Sequence, residues 1–230
     1  MLILTEKPSV AKDFAKALGC NFSSADKCFK SADGSILITN CVGNLFHLNE
    51  PAAYNPEFKS WKKLPVIPEQ FHYHVSPELK DAARIVVGLL KNHKNDEILI
   101  ATDADREGEI IARECLKTAG ISDTSRIKRF WVSQALTPAV IKDGISKAKA
   151  LGNYDLLSEQ GFARQHSDWL VGINGTRFTL STGLERFINS PAKCLEVKTE
   201  NKEILPPQLY SLNDLQKDAY RYLIIQQKRH

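Results

Sequence analysis

The sequence predicts an α/β fold with a mostly parallel central sheet flanked by helices, on three observations. Short, strongly apolar runs that fit buried strands, LILTE (2–6), EILIATD (97–103) and IKRFWV (127–132), alternate with stretches whose apolar residues recur at helical spacing. Strands that alternate with helices build crossover units whose strands run parallel. Two of the apolar runs also end abruptly in acids, and in open α/β sheets ligands collect at the carboxyl ends of strands.

The elements follow in order. MLILTE opens as a strand, and Val10, Phe14, Ala15 and Leu18 then share one helical face that ends at Gly19. Residues 27–43 read as two strands about an Asp33-Gly34 turn. Residues 50–75 are dense in proline and aromatics, without Gly/Ser flexibility, and are expected to form an irregular, ordered excursion with Trp61 packed into it. A helix is predicted over 76–93, with Ser76 as N-cap and Pro77 in the first turn. Further helices are expected over 106–120, ending at Gly120, and over 137–152, capped by Thr137. From 153 to 180 one long helical pattern puts Leu156, Phe162, Trp169, Leu170 and Ile173 on its apolar side. Residues 181–208 lack clear periodicity, and 209–230 fit a terminal helix. The expected division is a sheet domain over 1–150 and a partial helical domain over 151–230. The irregular end of the second is expected to pack poorly, leaving Leu180, Phe187 and Ile188 exposed to association.

Composition narrows the class without naming a function. The 230 residues are 43% hydrophobic, enough for one or two cored domains. A formal net charge of +4 is compatible with nucleic acid but does not demand it. The five cysteines are scattered and none forms a CxxC pair, which argues against zinc. Their odd number and the lack of a secretory leader favour a reducing cytoplasm. No apolar run is long enough to cross a membrane.

The sharpest feature is LIATDADREGEII (99–111), where an apolar run meets Asp103, Asp105, Glu107 and Glu109. Alternate residues of an extended chain point the same way, so Asp103 and Asp105 share a face if strand geometry persists. The first strand also ends in an acid, Glu6, followed by Lys7. If the two strands lie parallel and adjacent, these acids meet at one edge. Three or four carboxylates without histidine make an oxygen-only site that suits Mg²⁺ rather than zinc. Mutual repulsion would raise the pKa of one acid and leave Glu6 as a protonated general acid. The same charges also fit a helix start, where carboxylates meet the helix dipole. Lys7 fits a solvated surface lysine as well as a phosphate contact.

Glu6 and the Asp103-x-Asp105-x-Glu107 run resemble the Toprim module shared by topoisomerases, primases and some nucleases. With LTEKPSVAKDFAKALG, AYNPEFKSWKKLPVIPEQFHY, ATDADREGEIIARE and ARQHSDWLVGINGTRFT, the chain resembles a type IA DNA topoisomerase of the bacterial topoisomerase III kind over residues 1 to about 180. That resemblance implies a Toprim domain followed by a helical segment of the topoisomerase DNA-groove domain. It also implies ATP-independent, Mg²⁺-dependent breakage, passage and rejoining of single-stranded DNA. Glu6 would carry the proton, and Asp103, Asp105 and Glu107 would hold the metal. Lys7, Arg129, Arg164, Gln165 and Asp168 become candidate DNA contacts. Arg164 and Gln165 have donors for phosphate, whereas Lys128 and Arg129 fit a surface pair equally well. Trp169 is expected in the core, and His47, His72 and His74 in structural roles.

Two departures accompany the likeness. Asn44 stands where relatives commonly have a histidine in a Gly-His-Leu motif. No tyrosine, Tyr210 included, has the family's nucleophile setting with an arginine two positions on. The chain is therefore expected to be truncated before the catalytic tyrosine and inactive in cleavage alone, the nucleophile belonging to a cleavage domain in cis or in trans. The alternatives are an independent Toprim hydrolase that uses metal-bound water, or a non-enzymatic single-stranded DNA-binding fragment.

Overall fold

The computed structural model describes residues 1–181. Phe187, Ile188, Tyr210, the stretch beyond 181 expected to be irregular and the expected terminal helix lie outside the described residues.

The fold is mixed α/β. Its central sheet contains β1 (Leu2–Thr5), β2 (Asn21–Ser23), β3 (Cys28–Lys30), β4 (Leu37–Asn40), β7 (Ile98–Ala101), β8 (Ile127–Arg129) and β9 (Lys149–Ala150), in the order β2-β3-β4-β1-β7-β8-β9. The middle four strands, β4, β1, β7 and β8, are parallel, and the outer ones are antiparallel. A separate pair joins β5 (Phe46–Leu48) to β6 (Tyr73–Val75). The helices are α1 (Pro8–Leu18), α2 (Pro51–Tyr54), α3 (Lys80–Asn92), α4 (Arg106–Thr118), α5 (Pro138–Ser146) and α6 (Asp155–Ser181).

Strand alternation builds two cores, one on each face of the sheet. Leu2, Leu4, Ile98 and Ile100 face α3 and α4, packing with Val86, Leu90, Ile111 and Leu116. Ile3 and Leu99 face α1 and α5, packing with Phe14, Phe130 and Ile141. β1 and β7 are buried on both sides, as their unbroken apolar runs require. Each such aliphatic side chain contributes about 1.5–3 kcal/mol by leaving water.

Several expectations change in detail. Ser76 makes no capping bond, because a 3₁₀ turn over Pro77–Leu79 intervenes and α3 begins only at Lys80. Thr137 does cap α5, accepting from the Val140 N–H at 3.3 Å, but α5 stops at Ser146 to let β9 pair with β8. The excursion is more regular than its composition suggested, since β6 closes it by pairing with β5. Leu156 points to solvent, 68% exposed, instead of lying on the apolar side of α6. Trp61, expected to be packed, is 57% exposed.

α6 lies against α4 at Gly161, where a Cβ would sit 2.7 Å from the Ile110 side chain, so only glycine permits that approach. The other end of α6 holds the excursion: the Asn174 side chain bonds both the N–H and the C=O of Val66. Among the described residues no helix is long and apolar enough to cross a membrane.

Candidate functional site

β1 and β7 are parallel neighbours, with Thr5 in register with Ala101. The chain leaves β1 for β4 on one side and returns to β7 on the other, so their carboxyl ends flank the sheet's switch point. Beyond β7 the backbone turns tightly into α4. Thr102 donates its hydroxyl to the Gly108 carbonyl at 2.7 Å, and Asp105 caps the helix by accepting from the Gly108 N–H at 2.7 Å. A Cβ on Gly108 would fall 2.3 Å from the Asp103 carbonyl oxygen. The glycine set between two glutamates is thus what lets the acidic loop fold onto the helix start.

At this edge the Asp103 backbone N–H donates to Glu6 Oε2 at 3.2 Å. Lys7 Nζ lies 2.6 Å from Asp103 Oδ2 and 4.0 Å from Glu6 Oε1. Glu6 is only 8% exposed. Burial pushes its carboxyl pKa up, and the Asp103 and Asp105 charges add to the rise. The Asp103 N–H and the Lys7 ammonium oppose it. The bond to Asp103 in turn raises the Lys7 ammonium above its ordinary value.

The structure therefore brings together Glu6, Lys7 and Asp103, with Asp105 near enough to act on Glu6. Glu107 lines a cleft of about 210 Å³ between α4 and α6, with Asn44, Arg106, Arg164, Gln165 and Asp168. Among the described residues no three acidic, histidine or cysteine side chains are drawn into one metal cage. The donors at the strand tips nevertheless suit a hard divalent cation: the carboxylates of Glu6, Asp103 and Asp105 share one ammonium, so the edge is short of positive charge.

Arg129 is a correction. It is not a DNA contact at the surface but is fully buried, its Nε 2.9 Å from Glu109. Its other nitrogens donate to the carbonyls of Thr102, Asp103 and Phe130 at 2.8, 2.6 and 2.9 Å. Residues 127 and 129 both point inward, so strand alternation already placed this arginine in the core. Its neighbour Lys128 is exposed and pairs with Glu97 at 2.7 Å.

Glu109 was missed as a structural acid. It also accepts from Arg113 Nε at 2.8 Å. Its place in the apolar stripe of α4, with Ala112 and Leu116, was the available signal.

Gln165 faces the cleft, yet both ends of its amide are engaged. It donates to Glu114 at 3.2 Å and accepts from the Tyr73 hydroxyl at 2.8 Å. The same hydroxyl lies 3.0 Å from His166 Nε2, and that imidazole stacks on Phe71. Arg164 and Asp168 pair at 3.5 Å in the cleft wall and stay partly exposed. Asn44 also lines the cleft and accepts from the Phe46 N–H at 3.0 Å. Trp169 packs edge-on against Tyr54 and Phe71.

An open α/β sheet whose acids converge at its switch point belongs to the class of folds that take their ligands at the carboxyl ends of strands. The Toprim domain model matches residues 1–135, and the chain belongs to that family. It is 33% identical to DNA topoisomerase 3 of Shouchella clausii over 98% of this chain and 30% of that protein. It is 32% identical to DNA topoisomerase 3 of Staphylococcus epidermidis over all of this chain and 32% of that protein. The chain thus spans about a third of the length of these curated relatives. The full-length topoisomerase I of Thermotoga maritima aligns at a TM-score of 0.47 with 19% identity, over 81% of this chain and 26% of that one. Divalent-metal binding goes with the Toprim family.

Proposed function

We propose that this chain is the metal- and phosphate-handling part of a type IA DNA topoisomerase of the topoisomerase III kind, acting on single-stranded DNA in the cytoplasm without ATP. The Toprim domain runs to about residue 150, and α6 begins the wall of the DNA groove. The observation that carries the reading is the Glu6 carboxylate held against the Asp103 N–H at the tips of adjacent parallel strands.

Asp103, Asp105 and Glu107 would hold Mg²⁺, which when bound neutralises charge on the phosphodiester. Glu6, its carboxyl pKa raised by burial, would carry the proton. It gives that proton to the 3′ oxygen as the phosphorus–oxygen bond breaks and the nucleophile's bond to phosphorus forms. It takes the proton back on rejoining. The nucleophile is a tyrosine of a cleavage domain in cis or in trans, attacking as its phenolate and leaving as the phenolate on rejoining. Lys7, at the edge, and Arg164, in the cleft, donate to backbone phosphates, while Gln165 and Asp168 hold the cleft wall.

Mn²⁺ binding followed by electron paramagnetic resonance tests the reading. The wild-type chain binds, and the Asp103→Asn, Asp105→Asn double variant does not. In an enzyme completed with a tyrosine-bearing domain, Glu6→Gln abolishes turnover. Undiminished metal binding by the double variant, or normal rejoining by Glu6→Gln, refutes the assignment.

A further inference from the structure

Away from the acidic edge, the excursion and the far end of α6 enclose a cavity of about 320 Å³. Trp61, Lys59, Ile173, Thr176, Arg177 and Glu50 line it. Three features set it apart. The Trp61 indole is 57% exposed, and the Arg177 guanidinium lies over its ring at 5.5 Å. Arg177 is itself only 5% exposed, and its guanidinium is fixed by the carbonyls of Phe58 and Ser60, at 2.6 and 3.1 Å. Among the described residues it has no acidic partner, whereas Arg129, the other buried arginine, is neutralised by Glu109. A buried cation compensated only by carbonyl dipoles attracts an anion.

The surroundings add positive charge. Lys59 and Lys62 are exposed beside Trp61, while Lys63 is taken by Glu57 at 2.9 Å. An exposed indole with a guanidinium over its ring, cations on both sides of it in sequence, and an adjoining cavity of about 320 Å³ match the stacking-plus-phosphate chemistry of single-strand binders. A protein helix would call for a broader apolar face.

We infer that Trp61, Lys59, Lys62 and Arg177 form a second contact site for single-stranded DNA, in which a base stacks on the Trp61 indole and its phosphate meets the cations. The inference rests on the DNA-handling reading above and adds a site that the acidic edge does not include.

Binding of labelled oligo-dT to the full chain, followed by anisotropy across a salt series, tests it. Trp61→Ala weakens binding by about fivefold or more, as expected for loss of one stacked base. Trp61→Phe retains most of the affinity. Lys62→Ala lowers the salt slope by about one. Unlabelled oligo-dT quenches tryptophan emission in the wild type, and Trp61→Phe removes that quenching. Equal affinities for wild type and Trp61→Ala, with no Trp61-dependent quenching, overturn the second site and leave the acidic edge untouched. Failure of the wild type to bind oligo-dT at any salt overturns both readings. Displacement of oligo-dT by polyglutamate with the same Trp61 quenching overturns the nucleic-acid assignment in favour of an acidic protein.

Discussion

Glu6 and Glu109 sit on either side of one loop, and both are withdrawn from water, yet they are treated in opposite ways. Glu109 is wholly buried and accepts from two arginines, Arg129 and Arg113. Glu6, at the strand tip, has one backbone N–H, a lysine ammonium 4.0 Å away, and two further carboxylates acting against it. A buried charge with a full set of partners is a fixed part of the frame. A carboxylate left short of positive charge is open to a proton or a metal ion. The four acids crowded in the sequence are spread in the fold: Asp103 and Asp105 stand at the edge, Glu107 also borders the cleft, and Glu109 lies in the interior.

The comparison breaks most visibly at the inner pair. Arg129→Ala leaves Glu109 buried with one cation fewer and strips donors from the Thr102 and Asp103 carbonyls. It should cost about 3–5 kcal/mol, read from denaturant unfolding. An effect below 1 kcal/mol would mean the inner pair does not hold the loop.

A third acid sharpens the contrast. Glu114 is buried with one oxygen bonded to Gln165 and the other without a partner. Burial pushes its pKa up to about 7 from 4.5, with the Gln165 bond and Lys117 opposing the rise and Glu107 adding to it. The folded chain then holds this proton more tightly than the unfolded one, so stability falls as pH climbs from about 4.5 to 7 and stays low above that. Glu114→Gln should remove that decline and gain at most about 3 kcal/mol at pH 8. His166 works in the opposite direction, because burial lowers its pKa and favours the folded state as pH rises towards 6.5. Melting temperatures of variant and wild type at pH 5 and pH 8 separate the two. A pH-independent difference between the proteins would sink the assignment to Glu114.

The smallest effect belongs to the edge itself. Asp105→Ala removes the α4 cap, which costs about 1 kcal/mol, while relieving repulsion on Glu6. The net change in unfolding free energy should fall below that of Arg129→Ala by a factor of three or more, with Mn²⁺ affinity lost. A larger loss of stability would place Asp105 with the frame instead of the site.

Much of this was legible in the chain. The unbroken apolar runs of β1 and β7 gave buried parallel strands, and the acids after each gave the edge. Arg129 and Glu109 were legible in principle, since both lie at inward positions of their elements, but reading Arg129 as a DNA contact or surface charge, and Glu109 with the acids of the edge, ignored that periodicity. Trp61 was not legible. A tryptophan among prolines usually packs, and only the folded excursion leaves this one facing water over a fixed guanidinium. The β5–β6 pair was likewise hidden, because its strands are joined through the whole excursion and neither carries a strong local signal.

By itself, the sequence determined the α/β class, the alternation of the main strands β1, β7 and β8 with α1, α4 and α5, and which acids follow which strands, because periodicity and apolar run length are local properties. Only the tertiary structure decided which acids share an edge, which one is neutralised in the core, and which aromatic is left to solvent. Those outcomes depend on strand register and on packing between residues far apart in the chain, where burial and the nearest opposite charge set what each side chain can do.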